Sequence, residues 1–119
     1  MAPDIHGLSN DVLDMPWSKV KKGTKRLAKA LQKQNVEAEE LFNILIDTEQ
    51  ANEKDLPDTG VGKEMERILS PLFIESPQYG TRSMTVLSID NDNNVMFTEK
   101  SLVTEKMEWR STRFSFSVI

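Results

Sequence analysis

The stretch Arg82-Ser83-Met84-Thr85-Val86-Leu87-Ser88-Ile89-Asp90-Asn91-Asp92-Asn93-Asn94-Val95-Met96-Phe97-Thr98-Glu99-Lys100 decides the fold. Its period is two. Met84, Val86 and Ser88 alternate with Thr85, Leu87 and Ile89, and beyond a polar tip Val95, Phe97 and Glu99 alternate with Met96, Thr98 and Lys100. The tip, Asp90 to Asn94, is built from side chains that tolerate left-handed backbone angles, so the spacing predicts an antiparallel hairpin. Asp90, Asp92 and Asn94 also have the one-three-five spacing of a calcium loop, but the turn glycine is missing and position twelve is Ser101 rather than Glu. The hairpin turn is the better reading. Downstream, Phe114, Phe116 and Val118 alternate with Arg113, Ser115 and Ser117, which predicts a third antiparallel strand over 113–119.

Upstream of residue 82 the period is that of helices. Asp14, Pro16 and Trp17 read as a helix start, with Asp14 accepting orphan backbone N–H bonds. Val20, Thr24, Leu27, Ala28 and Leu31 follow at helical spacing, giving an amphipathic helix at about 16–33. Ala38, Leu41, Phe42, Leu45 and Ile46 predict a second from Glu37 to about Gln50. The stretch 51–62, with Pro57, Asp58, Gly60 and Gly62, reads as a loop. Lys63 to Leu69 adds one or two helical turns, and Leu72-Phe73-Ile74 between Pro71 and Pro77 reads as an edge strand. Residues 6–10 read as a loop or short extended piece. Helices followed by strands predict an α+β layer arrangement, two amphipathic helices and then an antiparallel β-meander.

Composition sets the outer bounds. At 119 residues, with 38% hydrophobic and 29% charged side chains, the chain is of single-domain size, 1–119, and falls in the ordinary globular range. The net charge of −4 argues against a nucleic-acid surface. Lys19, Lys21, Lys22, Lys25, Arg26, Lys29 and Lys33 do crowd one stretch, and read as the solvated side of the first helix. Zero cysteines exclude disulfides, thiolate metal sites and cysteine nucleophiles from this chain. Neither a signal peptide nor a membrane span is recognisable, and the expectation is a cytoplasmic protein.

No complete active site can be assembled from the residues. Gly60-Val61-Gly62-Lys63 lacks the glycine spacing and the hydroxyl of a phosphate loop. His6 is the only histidine and reads as a packing residue rather than a general base or haem ligand. No nucleophile elbow is present, and Met1 is followed by Ala2, which supplies no terminal nucleophile. Arg82 is the exception. A permanently charged donor fork beside Tyr79, Thr81 and Ser83, at the start of a predicted central strand, suits a carboxylate, phosphate or oxyanion. On the residues alone, a structural ion pair with one of the 19 acidic residues is the preferred account.

Several separate segments together resemble one family. They are His6-Gly7-Leu8-Ser9-Asn10, Leu13-Asp14-Met15-Pro16-Trp17-Ser18-Lys19-Val20, Ser76-Pro77-Gln78-Tyr79-Gly80-Thr81-Arg82-Ser83, Val86-Leu87, Phe97-Thr98-Glu99-Lys100-Ser101 and Trp109 to Phe116. In that order they resemble the Asn-Arg-Asp-Glu (NRDE) family, also called the transport and Golgi organisation protein 2 family. The resemblance implies that the chain corresponds to the C-terminal half of a domain similar to the amino-terminal-nucleophile (Ntn) hydrolases, an αββα sandwich. The Met-Cys start and the NRDE motif of that family are absent from this sequence, so no catalysis is expected of this chain alone. By the same resemblance Asn10, Tyr79, Arg82 and Ser83 are candidate pocket residues, Asn10 helping to hold an oxyanion and Arg82 facing the nucleophile or a substrate acyl group, with Tyr79 and Ser83 shaping the pocket. No metal or resident cofactor is implied, with haem the one candidate by family association. The alternatives are a binding or trafficking module for a hydrophobic anionic ligand, haem or an acyl-coenzyme A, and a structural interaction domain. The expected partners are the missing N-terminal half, or a second copy through exposed strands.

Overall fold

Helix α1 runs over Ser18–Ala30 in the computed structural model of the chain, which describes residues 4–10 and 14–119. Met1, Ala2 and Leu13, used in the sequence reading, lie outside the described residues. Asp14 does not cap α1: the N-cap is Trp17, in extended conformation with no side-chain cap. Asp14 instead sits at φ +57° and turns its carboxylate back, accepting 2.7 Å from the Gly7 N–H and lying 2.9 Å from His6 Nδ1. A left-handed residue cannot begin a helix, so the start falls three residues later than the capping chemistry suggested. The bond from Asp14 N–H to the Gly7 carbonyl, 2.7 Å, closes this clasp.

The chain divides into two compact units, Met1–Gly80 and Thr81–Ile119. In the first, α2 (Ala38–Leu45) packs on α1, a single 3-10 turn follows at Glu53–Asp55, and α3 covers Lys63–Ile68. Phe42 of α2 is the largest fully buried side chain among the described residues. α2 ends five residues earlier than its apolar spacing predicts, because Asp47 leaves the helix. Its carboxylate accepts from the Glu49 N–H at 2.8 Å and reaches across to α1, and its carbonyl accepts from the Phe73 N–H at 2.8 Å. That last bond also accounts for Leu72-Phe73-Ile74, which is not an edge strand. The segment bends past the end of α2, and the local β-like pairing is a single bridge, Glu75 to Gly80.

Two glycines make these close approaches possible. A Cβ on Gly7 would run into Cγ1 of Val20 and stand 3.2 Å from Cγ2 of Thr24, so residues 6–8 can lie against α1 only because Gly7 has no side chain. A Cβ on Gly80 would stand 3.0 Å from the Ile74 carbonyl oxygen, across the bridge.

The second unit is the meander, β1 (Ser83–Ile89), β2 (Asn94–Val103) and β3 (Glu108–Ser117), antiparallel in the order β1-β2-β3. β1 is therefore an edge strand, not the central one expected, and β3 begins five residues earlier than its alternation suggested. The register pairs Leu87 with Phe97 and Phe97 with Phe114, and pairs Ile89 with Val95 and Val95 with Phe116. One face thus carries Leu87, Ile89, Val95, Phe97, Phe114 and Phe116. The opposite face carries Met84, Val86, Thr98, Leu102 and Trp109. Met84, Val86 and Thr98 are buried, whereas Leu87, Ile89, Phe114 and Phe116 are each more than half exposed.

The hairpin tip forms as a turn. Asp90 accepts from the N–H groups of Asp92 and Asn94, each at 2.9 Å, and from the Asn94 side-chain amide at 3.1 Å, and Asn93 takes φ +63°. Every interaction of the Asp90 carboxylate is thus one that shapes a turn.

Candidate functional site

A cavity of about 250 Å³ lies within the first unit, formed where α1, α3 and the segments 56–59 and 69–79 converge. Trp17, Ser18 and Lys19 reach it from the start of α1, Glu66, Leu69 and Ser70 from the end of α3, and Asn10, Pro57, Thr59, Ile74 and Tyr79 from the loops. Helical spacing puts Glu66 and Leu69 on one face of α3. Asn10 and Tyr79 are exposed and stand at its rim, while Glu66 and Ser70 are buried.

The two charged side chains in this cavity are held differently. Glu66 is 5% exposed, and its Oε1 accepts two bonds from Thr59, 2.7 Å from the backbone N–H and 2.5 Å from the hydroxyl. Lys19 is half-buried and donates from Nζ to the Leu69 carbonyl at 2.8 Å. Burial pushes the Lys19 amine below the usual lysine range, and the negative charge of Glu66 partly opposes that shift. The two feel each other's charge without meeting as an ion pair among the described residues. Ser70 closes the floor: its hydroxyl donates to the Arg67 carbonyl at 2.7 Å and accepts from the Ala51 N–H at 2.9 Å.

Of the four candidate pocket residues, Asn10 and Tyr79 line this one cavity. Arg82 and Ser83 belong to the second unit, where Ser83 opens β1 and the Arg82 carbonyl accepts from the Leu102 N–H at 2.8 Å. Both side chains are exposed, and no ion pair engages the Arg82 guanidinium among the described residues. The ion-pair account preferred on the residues alone is thus not what the structure shows. His6 does have a carboxylate partner, Asp14, eight residues on. Lys19 and Glu66 were missed because one was counted with the solvated lysines and the other carried no motif. The one sequence signal was Glu66 standing three residues before Leu69 on a short helix, too common to decide anything.

No group of three or more metal-ligating side chains gathers among the described residues, and no helix there is long and apolar enough to cross a membrane.

Comparison with known proteins gives one consistent result. The family model described as Transport and Golgi organisation 2 matches residues 1–104. The chain is 28% identical over 127 residues to the Homo sapiens Transport and Golgi organization protein 2 homolog, covering 99% of this chain and 46% of that protein. It is 29% identical over 125 residues to the Bos taurus protein of the same name, covering 98% of this chain and 45% of that one. The chain therefore spans about half the length of these relatives.

Proposed function

We propose that this chain, which belongs to the Transport and Golgi organisation 2 family, works as the C-terminal part of an Ntn-hydrolase-like αββα sandwich and carries out no catalysis by itself. The observation that carries this reading is the uncovered sheet face. Leu87 (56% exposed), Ile89 (59%), Phe114 (58%) and Phe116 (53%) project from one side of a three-stranded sheet. A contiguous apolar face of this kind is the form of a surface that another layer covers, and a sheet apolar on both faces is the middle layer of a stack. Relatives about twice as long have the chain to supply that layer.

The test is assembly. The 119-residue chain alone is expected to self-associate with rising concentration in sedimentation velocity. Adding the portion of the bovine relative that this chain does not match should convert it to a one-to-one complex, and Phe114→Ser with Phe116→Ser should abolish both. A sharp, reversible unfolding transition of a monomer at low concentration, indifferent to those two substitutions, would overturn the reading.

A second reading rests on the same apolar face together with the Arg82 guanidinium, which no ion pair engages among the described residues: a carrier for a hydrophobic anion, haem or an acyl thioester, working in the cytoplasm. Saturable binding of haem or acyl-coenzyme A that Arg82→Ala weakens is its expected result. Binding indifferent to that change would sink it.

A further inference from the structure

The cavity of the first unit holds two opposite charges that do not neutralise one another directly. Glu66 Oε1 is filled by Thr59, but Oε2 accepts no hydrogen bond from any described residue, on a side chain only 5% exposed. Oε2 is not among the fully buried atoms left without a partner, so it stays accessible on a residue that lines the cavity, and an accessible carboxylate oxygen there is a standing acceptor for a ligand. Lys19 Nζ spends one of its three protons on the Leu69 carbonyl and the other two on no described residue. Trp17, Leu69, Ile74 and Pro57 supply apolar wall to the same cavity.

The charge pattern narrows the ligand. An amine alone would satisfy Glu66 and bring a second positive charge beside Lys19. A carboxylate alone would satisfy Lys19 and bring a second negative charge beside Glu66. A molecule that carries both charges a few bonds apart meets each wall with its opposite and leaves the net charge of the cavity unchanged. The volume of about 250 Å³ is below the range of drug-sized ligand pockets, which admits a small metabolite and excludes a coenzyme. The exposed rim at Asn10 and Tyr79 gives such a molecule a way in.

We propose that this cavity binds a free amino acid with an apolar side chain, its ammonium on Glu66 Oε2, its carboxylate on Lys19 Nζ and its side chain against Trp17, Leu69 and Ile74. The residues of this site belong to the first unit, and those of the apolar sheet face to the second.

L-Phenylalanine, phenethylamine and 3-phenylpropionate form a matched set of probes: the second lacks the carboxylate and the third lacks the ammonium. Each would be titrated into the 119-residue chain while the indole N–H resonance of Trp17 is followed by NMR, with that of Trp109 as an internal control in the other unit. The expected result is a saturable shift of Trp17 with L-phenylalanine, with each truncated probe weaker by about ten- to a hundredfold. Glu66→Gln, which keeps an acceptor for Thr59, should remove the advantage of L-phenylalanine over 3-phenylpropionate. Lys19→Met should remove its advantage over phenethylamine. Equal binding of the three probes to the unmodified chain, or no Trp17 shift with L-phenylalanine at millimolar concentration, overturns the proposal without recourse to either variant.

Discussion

Arg26 Nη1 lies 2.6 Å from Asp47 Oδ2, joining the third turn of α1 to the residue at which the chain leaves α2. Lys22 Nζ, one turn earlier on α1, reaches the same oxygen at 3.2 Å. Asp47 also holds the Glu49 N–H with its side chain and the Phe73 N–H with its carbonyl. Arg26 is the replaceable partner, since it is nearly half exposed and Lys22 remains. Arg26→Ala should therefore cost about 0.5 kcal/mol. Asp47→Ala strips three charge-assisted contacts from a carboxylate that is only 12% exposed, and should cost about 2 kcal/mol. Thermal unfolding of the two variants at one fixed protein concentration checks the ordering.

Acid should loosen the molecule through three aspartates. His6 and the Gly7 N–H hold the Asp14 carboxyl below the ordinary range. The Glu49 N–H, then Lys22 and Arg26, hold the Asp47 carboxyl below the ordinary range, and the N–H and side-chain amide of Asn94 do the same for Asp90. A carboxyl with a lower pKa in the folded than in the unfolded state stabilises the fold fully above its unfolded value, about 3.9. That contribution fades as pH falls through the lower folded values. Stability is expected to be level from pH 7 to about 5 and to decline below about 4. In Asp47→Asn and Asp90→Asn the decline should be shallower, which a pH series of melting temperatures measures.

Thr98 carries a hydroxyl that the fold does not use. The residue is 3% exposed on the central strand, and its Oγ1 has no hydrogen-bond partner among the described residues. Thr98→Val replaces the hydroxyl with a methyl of similar shape and keeps the β-branched form a strand prefers. Stability should be unchanged or raised by about 1 kcal/mol. A loss of more than that in urea unfolding would mean the hydroxyl has a role the packing does not reveal.

At the hairpin tip, Asn93 occupies φ +63°. Asn93→Gly should be tolerated, because glycine visits that region freely. Asn93→Val should cost about 1–2 kcal/mol and leave the first unit's melting behaviour unaffected. Amide hydrogen exchange along β1 and β2 reports the local loss.

The legible parts of this fold are those whose signal is local. The Asp90–Asn94 tip and the alternation on either side of it predict β1, β2 and their pairing from side-chain chemistry a few residues apart. The helix ends were less legible. Asp14 has the side chain of a cap but spends it on Gly7 and His6, and Asp47 sits within an apolar helical spacing but breaks it for contacts with α1 and Phe73. In both cases a distant partner outweighs the local propensity. Asn10 and Tyr79 lie on one cavity wall although sequence spacing alone could not bring them together. Lys19 and Glu66 were illegible because their meaning comes from 46 residues of intervening chain folding back, and nothing in a lysine-rich stretch marks Lys19 as the lysine that reaches the cavity.

A strand that is apolar on one side only punishes a one-residue slip, since the slip exposes its core. β1 and β2 carry apolar side chains on both sides, Met84 and Val86 facing one way and Leu87 and Ile89 the other, so burial discriminates weakly between neighbouring alignments. What selects the alignment is the knot of bonds around Asp90 and the left-handed step at Asn93. The five polar residues at the tip act as the reading frame of the sheet. Drift is then cheap along the strands, where one apolar side chain substitutes for another, and expensive at an exposed loop that touches no ligand and buries nothing.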